Sequence, residues 1–260
     1  MQVFQSPTLQ PSSSAMHSIP VISVVVPTFN EAANLPELFE HLLAFVRESK
    51  LSVETIVVDD ASPDGTGVIA EQLAIKHNGT LSARVLHRPG KLGLSSALYD
   101  GIQVAQGSWI AMLDADNSHD IRSLRDMYRA AQDGVDVVIG SRYVEGGRIE
   151  EWPHSRRMIS RAATVLARTA FRLDVKDPMS GFALIRRDAA ARVPELLNPR
   201  TYKFLLELLV RVRPLSVREV PIVFRNRRNG DSKLSTREIV EFGRLVAALV
   251  RERYLAKKSW

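Results

Sequence analysis

The chain alternates apolar runs with amphipathic stretches from Ile19 onward. PVISVVVP predicts a strand, and in NLPELFEHLLAFVRE the spacing of Leu35, Leu38, Leu42, Leu43 and Val46 predicts a helix with one apolar face. A strand follows over Glu54 to Asp60, then a helix from about Thr66 to Lys76, a strand at Arg84 to His87 and a helix from Leu94 to Ala105. The central apolar run begins at Trp109 and leads into WIAMLDADNSH, read as a buried strand running into a loop. A helix (Ile121 to Ala131) and a strand (Val135 to Gly140) come next. Strands and helices of these lengths in alternation predict an α/β fold: a Rossmann-like, mostly parallel sheet with helices on both faces. The alternation stops after Gly140. GSRYVEGG reads as a loop, and an Ala-rich helix opens at Arg156, Arg157 and Arg161 and runs to about Phe171. KDPMSGFALIRRD, the apolar YKFLLELLVRV, a short strand EVPIVF and the basic loop Arg225 to Ser235 complete the second half. The last helix, from about Thr236 to Tyr254, carries Ile239, Phe242, Val246, Leu249 and Val250 on one side.

At 260 residues and 45% hydrophobic content, the chain is expected to form one main domain over 19–235, with a helical, basic C-terminal appendage over 236–260. Residues 1–18, rich in Ser, Pro and Gln, read as a disordered tail without the basic start and apolar core of a secretory signal. Cysteine is absent, which removes thiolate nucleophiles and Cys-ligated zinc and fits a reducing, cytoplasmic location. No stretch approaches the roughly 18 consecutive apolar residues that a membrane span needs. The net charge of +6 calls for an anionic partner: nucleic acid, an anionic membrane or a phosphorylated substrate. Nucleic acid would need a stripe of cations interleaved with aromatics. Here the arginines lie beside acidic strand ends that would repel a nucleic-acid backbone, so this class is set aside.

In a parallel sheet, ligands bind beyond the carboxyl ends of the strands. Those ends read PTFNE (Pro27 to Glu31), DDASPDGT (Asp59 to Thr66) and DADNSH (Asp114 to His119), and each crowds polar or acidic residues onto one edge. Side chains alternate along an extended chain, so Asp114 and Asp116 are expected to project together and share one hard cation. The competing reading makes them solvated residues of a helix start capped by Asp120. Three acidic strand ends favour a nucleotide and metal site. Neither GxGxxG after the first strand nor GxxxxGK[ST] occurs, which argues against a dinucleotide dehydrogenase or a P-loop NTPase.

Taken together, PTFNE, DDASPDGT, RPGKLGL, LDADNSH, GSRYVEGG, RRMISR, DPMSGF and the late EVPIVF and GDSKLS segments resemble family 2 glycosyltransferases of GT-A fold. More specifically, they look like those of dolichol-phosphate and polyprenol-phosphate mannosyltransferases, over nearly all of Val21 to Ser235. The resemblance implies that Pro27, Phe29, Glu31, Val58 and Asp60 hold the nucleotide, and that Asp114, Ala115 and Asp116 form the metal and diphosphate motif. It further implies that Arg142 meets phosphate, that Arg156 and Ser160 hold the acceptor phosphate, and that Arg227 and Lys233 close over the donor. Ser118 stands where some relatives carry a metal-reaching Gln, which leaves the third protein ligand open. The implied activity is inverting transfer of mannose from GDP-mannose to a polyprenyl (dolichyl) phosphate with Mg2+ or Mn2+. The alternatives are UDP-glucose as donor, a different acceptor, or a catalytically silent sugar-nucleotide sensor.

A phosphate monoester has its second pKa near 6, so the acceptor is mostly dianionic at neutral pH and needs cations to position it rather than a base to ionise it. Several residues keep two readings at this level. His119 either approaches the metal or takes a backbone partner; Asp177 either orients the arginines or braces its turn; Asp64 is either a turn or cap residue or a ligand; Gly65 and Gly181 answer to backbone geometry. Trp152 either meets lipid or sugar or packs its loop. A lipid acceptor implies docking at a membrane surface, through the last helix or through a separate anchor subunit. The other reading packs that helix on the core.

Overall fold

The structure, a computed structural model, describes residues 20–192, 203–226 and 236–258. The expected tail over 1–18 and the candidate residues Arg227 and Lys233 lie outside the described residues. The elements in order are β1 (Ile22–Thr28), α1 (Leu35–Ser49), β2 (Val53–Asp59), α2 (Thr66–Lys76), β3 (Ser82–His87), α3 (Leu94–Val104), β4 (Trp109–Met112), α4 (Ser123–Ala131), β5 (Val137–Ser141), β6 (Arg148–Ile149) and α5 (His154–Phe171). There follow β7 (Ala183–Arg186), α6 (Arg187–Ala191), α7 (Phe204–Arg211), β8 (Val217–Pro221), β9 (Val223–Phe224) and α8 (Thr236–Lys258).

Seven strands form one sheet in the order β3-β2-β1-β4-β7-β5-β8. All neighbouring pairs are parallel except the two made by β7, which runs antiparallel to both β4 and β5. The sheet is therefore mostly parallel, as the alternation of elements predicts. Sequence patterning misses β7: its four residues sit inside an apolar stretch with no period of its own, and running backwards is a tertiary property. From β1 the chain winds outward through β2 to β3, then returns to the other side of β1 as β4. The strand order thus reverses between β1 and β4, where an open α/β sheet leaves a crevice for ligands.

Both faces of the inner strands are covered, which is why β1 and β2 are buried on both sides and carry long apolar runs. Ile22, Val24 and Val26 pack with α1, α2 and α4, whereas Val25, Ile56 and Val58 pack with α3, α6 and α7. α3 lies so close that a Cβ at Gly101 would stand 2.3 Å from Val25 Cγ1 and 3.1 Å from Val58 Cγ2. At the sheet edge away from the reversal, buried Glu54 ties the strand starts together. It accepts from Ser23 Oγ at 2.5 Å, from the Gln106 amide at 2.5 Å and from Arg84 at 2.8 Å.

The last helix continues to Lys258, beyond the expected Tyr254. Leu245, Val246 and Leu249 are buried against Ala167 and Phe171 of α5 and Leu206 of α7, with Phe242 partly buried beside them. Its apolar side is used for internal packing, and Val250, placed on that side by the sequence pattern, is 43% exposed.

An alanine in a helix interior normally gains about 1 kcal/mol over glycine. At Gly101 overpacking outweighs that gain: Gly101→Ala is expected to destabilise by about 1–3 kcal/mol, read as a lower Tm in thermal denaturation.

Candidate active site

The carboxyl ends of β1 to β4 surround a cavity of about 760 Å³ at the reversal, within the size range of small-molecule sites. Pro27, Thr28, Phe29 and Glu31 line it from β1, Asp60 from β2, Lys91 to Leu94 from the segment after β3, and Asp114, Ala115 and Asp116 from the loop after β4. Glu241 of α8 lines it as well, a residue that carries no signal in the sequence pattern. Val58 stands apart: it is fully buried in the core beneath Gly101, so its side chain does not reach the cavity.

Each wall is set by local hydrogen bonding. Asp60 accepts from Arg88 at 2.6 Å and from the amides of Leu92 and Gly93 at 3.1 and 2.8 Å, fixing the segment after β3. Arg88 also reaches Asp100 at 3.0 Å, so this brace runs into α3. Lys91 Nζ lies 3.6 Å above the Phe29 ring and places a cation over the apolar lip of the cavity. Asp64 proves to be a turn residue, accepting from the Thr66 amide at 3.0 Å and from the Ala32 amide at 3.2 Å. Burial alone would raise its pKa; the hydrogen bonds from Thr66 and Ala32 outweigh this and hold the carboxyl below its usual range.

β4 ends at Met112, and the chain turns at Ala115 and Asp116 before Asn117 takes a φ of 58°. The two aspartates share the cavity, but a turn brings them together rather than the strand alternation expected from sequence. Asp116 is buried and accepts from the Ser118 amide at 3.0 Å. Asp114 faces Gly181, whose Cβ, if present, would stand 2.6 Å from Asp114 Oδ2. Gly181 is thus needed for space, and it is not among the residues with positive φ. His119 Nε2 approaches the same oxygen, 3.5 Å from Oδ2, and would stand 3.3 Å from a Cβ at Gly181. The His119 ring is buried between Phe182, 5.3 Å away, and Phe224, 4.9 Å away and edge-on. Asp120 accepts from the Arg122 side chain and amide, bonds that hold its pKa low and brace the start of α4 rather than the site.

Phe224 joins the acidic loop to the arginine side. It forms an isolated bridge with His119, and the following amide, Arg225, donates to the Ser118 carbonyl at 3.0 Å. Its ring meets Trp152 edge-on at 5.3 Å and lies 5.5 Å from the Arg142 guanidinium carbon. Arg156 stacks on Trp152 at 3.7 Å and donates to Asn226 at 3.3 Å. One turn further along α5, Ser160 shares a 2.8 Å hydrogen bond with Tyr143. Trp152 therefore packs its loop and carries Arg156 at once. Of the candidate residues, Arg142, Arg156 and Ser160 gather on this side. Phe224, which connects the two sides, and Phe182, which packs on His119, carry no polar signal that a motif reading could use.

Arg142 is held by the fully buried Asp177: Nε and Nη2 donate to its two oxygens at 2.8 Å each, and the Arg142 amide donates at 3.0 Å. Burial would lower the guanidinium pKa, but the bonds and charge of Asp177 more than reverse this and raise it. Asp177 thus orients the arginine, its own amide being held by Glu219 at 2.9 Å.

The donor set fits a hard divalent cation. Among the described residues no group of three His, Cys, Asp or Glu could hold a metal, so the protein offers two carboxylates and no closed cage. Ser118, the third candidate, is buried next to Asp116, its Oγ without a hydrogen-bond partner among the described residues, and it is not among the residues that line the cavity. Few protein oxygens, with room left for water and phosphate, is the pattern of magnesium or manganese sites. Crowding Asp114 should be felt at such a site. Gly181→Ala is expected to lower kcat/KM for glycosyl transfer by about 10²-fold while the circular dichroism spectrum stays unchanged.

Residues 23–193 match the family described as glycosyl transferase family 2. The chain is 38% identical over 232 residues to a dolichol-phosphate mannosyltransferase of Pyrococcus furiosus, covering 88% of this chain and 64% of that protein. It is 35% identical over 224 residues to a polyprenol monophosphomannose synthase of Mycolicibacterium smegmatis, covering 84% of this chain and 82% of that one. In fold it is similar to the mannosyltransferase PcManGT of Pyrobaculum calidifontis in complex with GDP-Man and Mn2+, with a TM-score of 0.63, 18% identity and coverage of 89% and 65%. A glucosyl-3-phosphoglycerate synthase of Mycobacterium tuberculosis, in complex with Mn2+, UDP and its product, gives a TM-score of 0.63 at 22% identity, covering 90% and 80%. The sheet and helices are those of a GT-A-like fold, and the chain belongs to glycosyl transferase family 2.

Proposed function

We propose that the protein transfers mannose from GDP-mannose to a polyprenyl or dolichyl phosphate at a membrane surface, with inversion at the sugar carbon. The observation that carries this reading is the contact of Phe224 with both halves of the site, His119 beside the acidic loop and Trp152 beneath Arg156. It sets a carboxylate-lined cavity next to paired cations, as transfer between two phosphorylated substrates requires. The names of the two relatives matched over most of this chain support mannose and a lipid phosphate as the substrates.

In this reading the cavity holds the donor. Asp60, Phe29, Pro27 and Glu31 flank the nucleoside, and Lys91 and the Asp114 to Asp116 turn face the diphosphate. A divalent cation held by Asp116, with Asp114 and Ser118, would neutralise charge developing on the diphosphate as it leaves. Arg156 and Ser160, on successive turns of α5, hold the acceptor phosphate, and Arg142, pinned by Asp177, presents its remaining N–H groups between the two substrates. These residues act by position. The acceptor oxygen is already ionised, and holding it in line behind the sugar carbon is the main contribution open to the protein. Displacement from that side inverts the configuration.

The reading is tested by offering the purified protein GDP-mannose or UDP-glucose with a short polyprenyl phosphate and weighing the lipid product. Mannosyl phosphate lipid is expected from GDP-mannose alone; equal or preferential use of UDP-glucose rejects mannose as the sugar. Asp116→Ala should reduce turnover to the level without enzyme, and unchanged turnover removes Asp116 from the mechanism. Arg156→Ala should lower kcat/KM for the acceptor by about 10- to 100-fold, the worth of a hydrogen bond to a charged group, and leave the KM for the donor in place.

A further inference from the structure

Glu241 of α8 lines the cavity at the strand reversal together with Glu31, Asp60, Asp114 and Asp116. Those four flank the nucleoside or face the diphosphate and metal in the proposed reaction, and Glu241 has no part there. Packing decides which region of the cavity it faces. Its neighbour Phe242 and Met179 pack against the same cluster, the one that seats α8 on α5 and α7. Met179 lies in the segment before β7, between Asp177, which pins Arg142, and Gly181, which faces Asp114. Glu241 therefore enters the cavity from the β7 side. In the sheet order β2-β1-β4-β7, the strand β4 stands between this side and the nucleoside wall formed at the ends of β1 and β2.

In a displacement, the sugar carbon lies between the leaving diphosphate and the entering phosphate. Here that is the space between the Asp114 to Asp116 turn and Arg142, which the segment before β7 borders. The chemistry of a half-buried carboxylate narrows the choice in the same direction. It repels a diphosphate. Among the described residues no group of three His, Cys, Asp or Glu could hold a metal, so Glu241 does not join Asp114 and Asp116 around one ion. Sugar hydroxyls remain: neutral O–H donors, of which the two oxygens of a carboxylate can accept a pair. We propose that Glu241 is a specificity-determining residue that accepts hydrogen bonds from the hydroxyls of the donor's hexose, across the ring from Asp114. This deepens the proposed function and rests on it. A site that hydrogen-bonds a substrate hydroxyl rejects a donor whose hydroxyl points elsewhere, because the acceptor is then left unpaired. The last helix thus supplies the group that distinguishes sugars, while β1 and β2 hold the nucleotide.

The test is titration calorimetry of the full-length protein, with Mn2+ present, against GDP-mannose and against GDP, which lacks the sugar. Glu241→Ala is expected to bind GDP-mannose about 10- to 100-fold more weakly than the wild type, the range for a hydrogen bond to a charged group, and to keep its affinity for GDP within about 2-fold. Glu241→Gln, which is close to isosteric but uncharged, should fall between the wild type and the alanine variant for GDP-mannose and match the wild type for GDP. A protein that had merely lost its fold would lose both ligands. Equal loss of GDP and GDP-mannose in the glutamine variant overturns the proposal, because it places Glu241 on the nucleotide or the metal. So does full retention of GDP-mannose by Glu241→Ala. If the wild type takes UDP-glucose in place of GDP-mannose, the proposed donor falls, and the same comparison of UDP-glucose with UDP judges Glu241 separately.

Discussion

Parallel strand pairing imposes the constraint from which the site follows. Because β1 to β4 hydrogen-bond in one direction, every segment that leaves their carboxyl ends emerges on the same edge of the sheet. The reversal of strand order between β1 and β4 splays those segments apart and opens the cavity between them. The acidic residues at Asp60, Asp114 and Asp116 sit together for that reason, although they are far apart in the chain. Their mutual repulsion is met locally, by Arg88 and the Leu92 and Gly93 amides at Asp60 and by the Ser118 amide at Asp116.

Cations reach the same edge by a different route. β7 is antiparallel, so it brings its beginning, not its end, to the ligand edge, and with it the preceding turn that holds Asp177. Asp177 fixes Arg142, which follows directly from β5. A buried guanidinium without such a partner would be costly, and the pair spares the protein an uncompensated charge beside the cavity. Phe224 then closes the arrangement by packing against His119, Trp152 and Arg142 together.

Much of this was legible from residue order. The limits of α2 coincide with the expected Thr66 to Lys76, and the alternation of elements to β5 is as the apolar pattern predicts. Acidic strand ends on one edge are local features that spacing reveals, whereas Arg156 and Ser160 were singled out by the family resemblance. What escaped was tertiary. A run of four residues such as Ala183 to Arg186 cannot announce its direction. Nor can alternation foresee the turn at Asp116, or the burial of Val58 beneath a helix that comes close only because Gly101 has no side chain. The apolar side of α8 was visible; that α5 and α7 would occupy it was not.

The antiparallel ladder between β4 and β7 acts as a ruler for the acidic loop. Its last pairing, Met112 with Ala183, points two residues further on each strand to Asp114 and Gly181, the pair found in close approach. Asp114 therefore owes its neighbour to strand register, and register shifts in whole residues. Insertion or loss of one residue in β7 would present Ser180 or Phe182 to the carboxylate in place of a glycine. Length variation at a strand buried in mid-sheet would thus be read out at the acidic turn that lines the cavity.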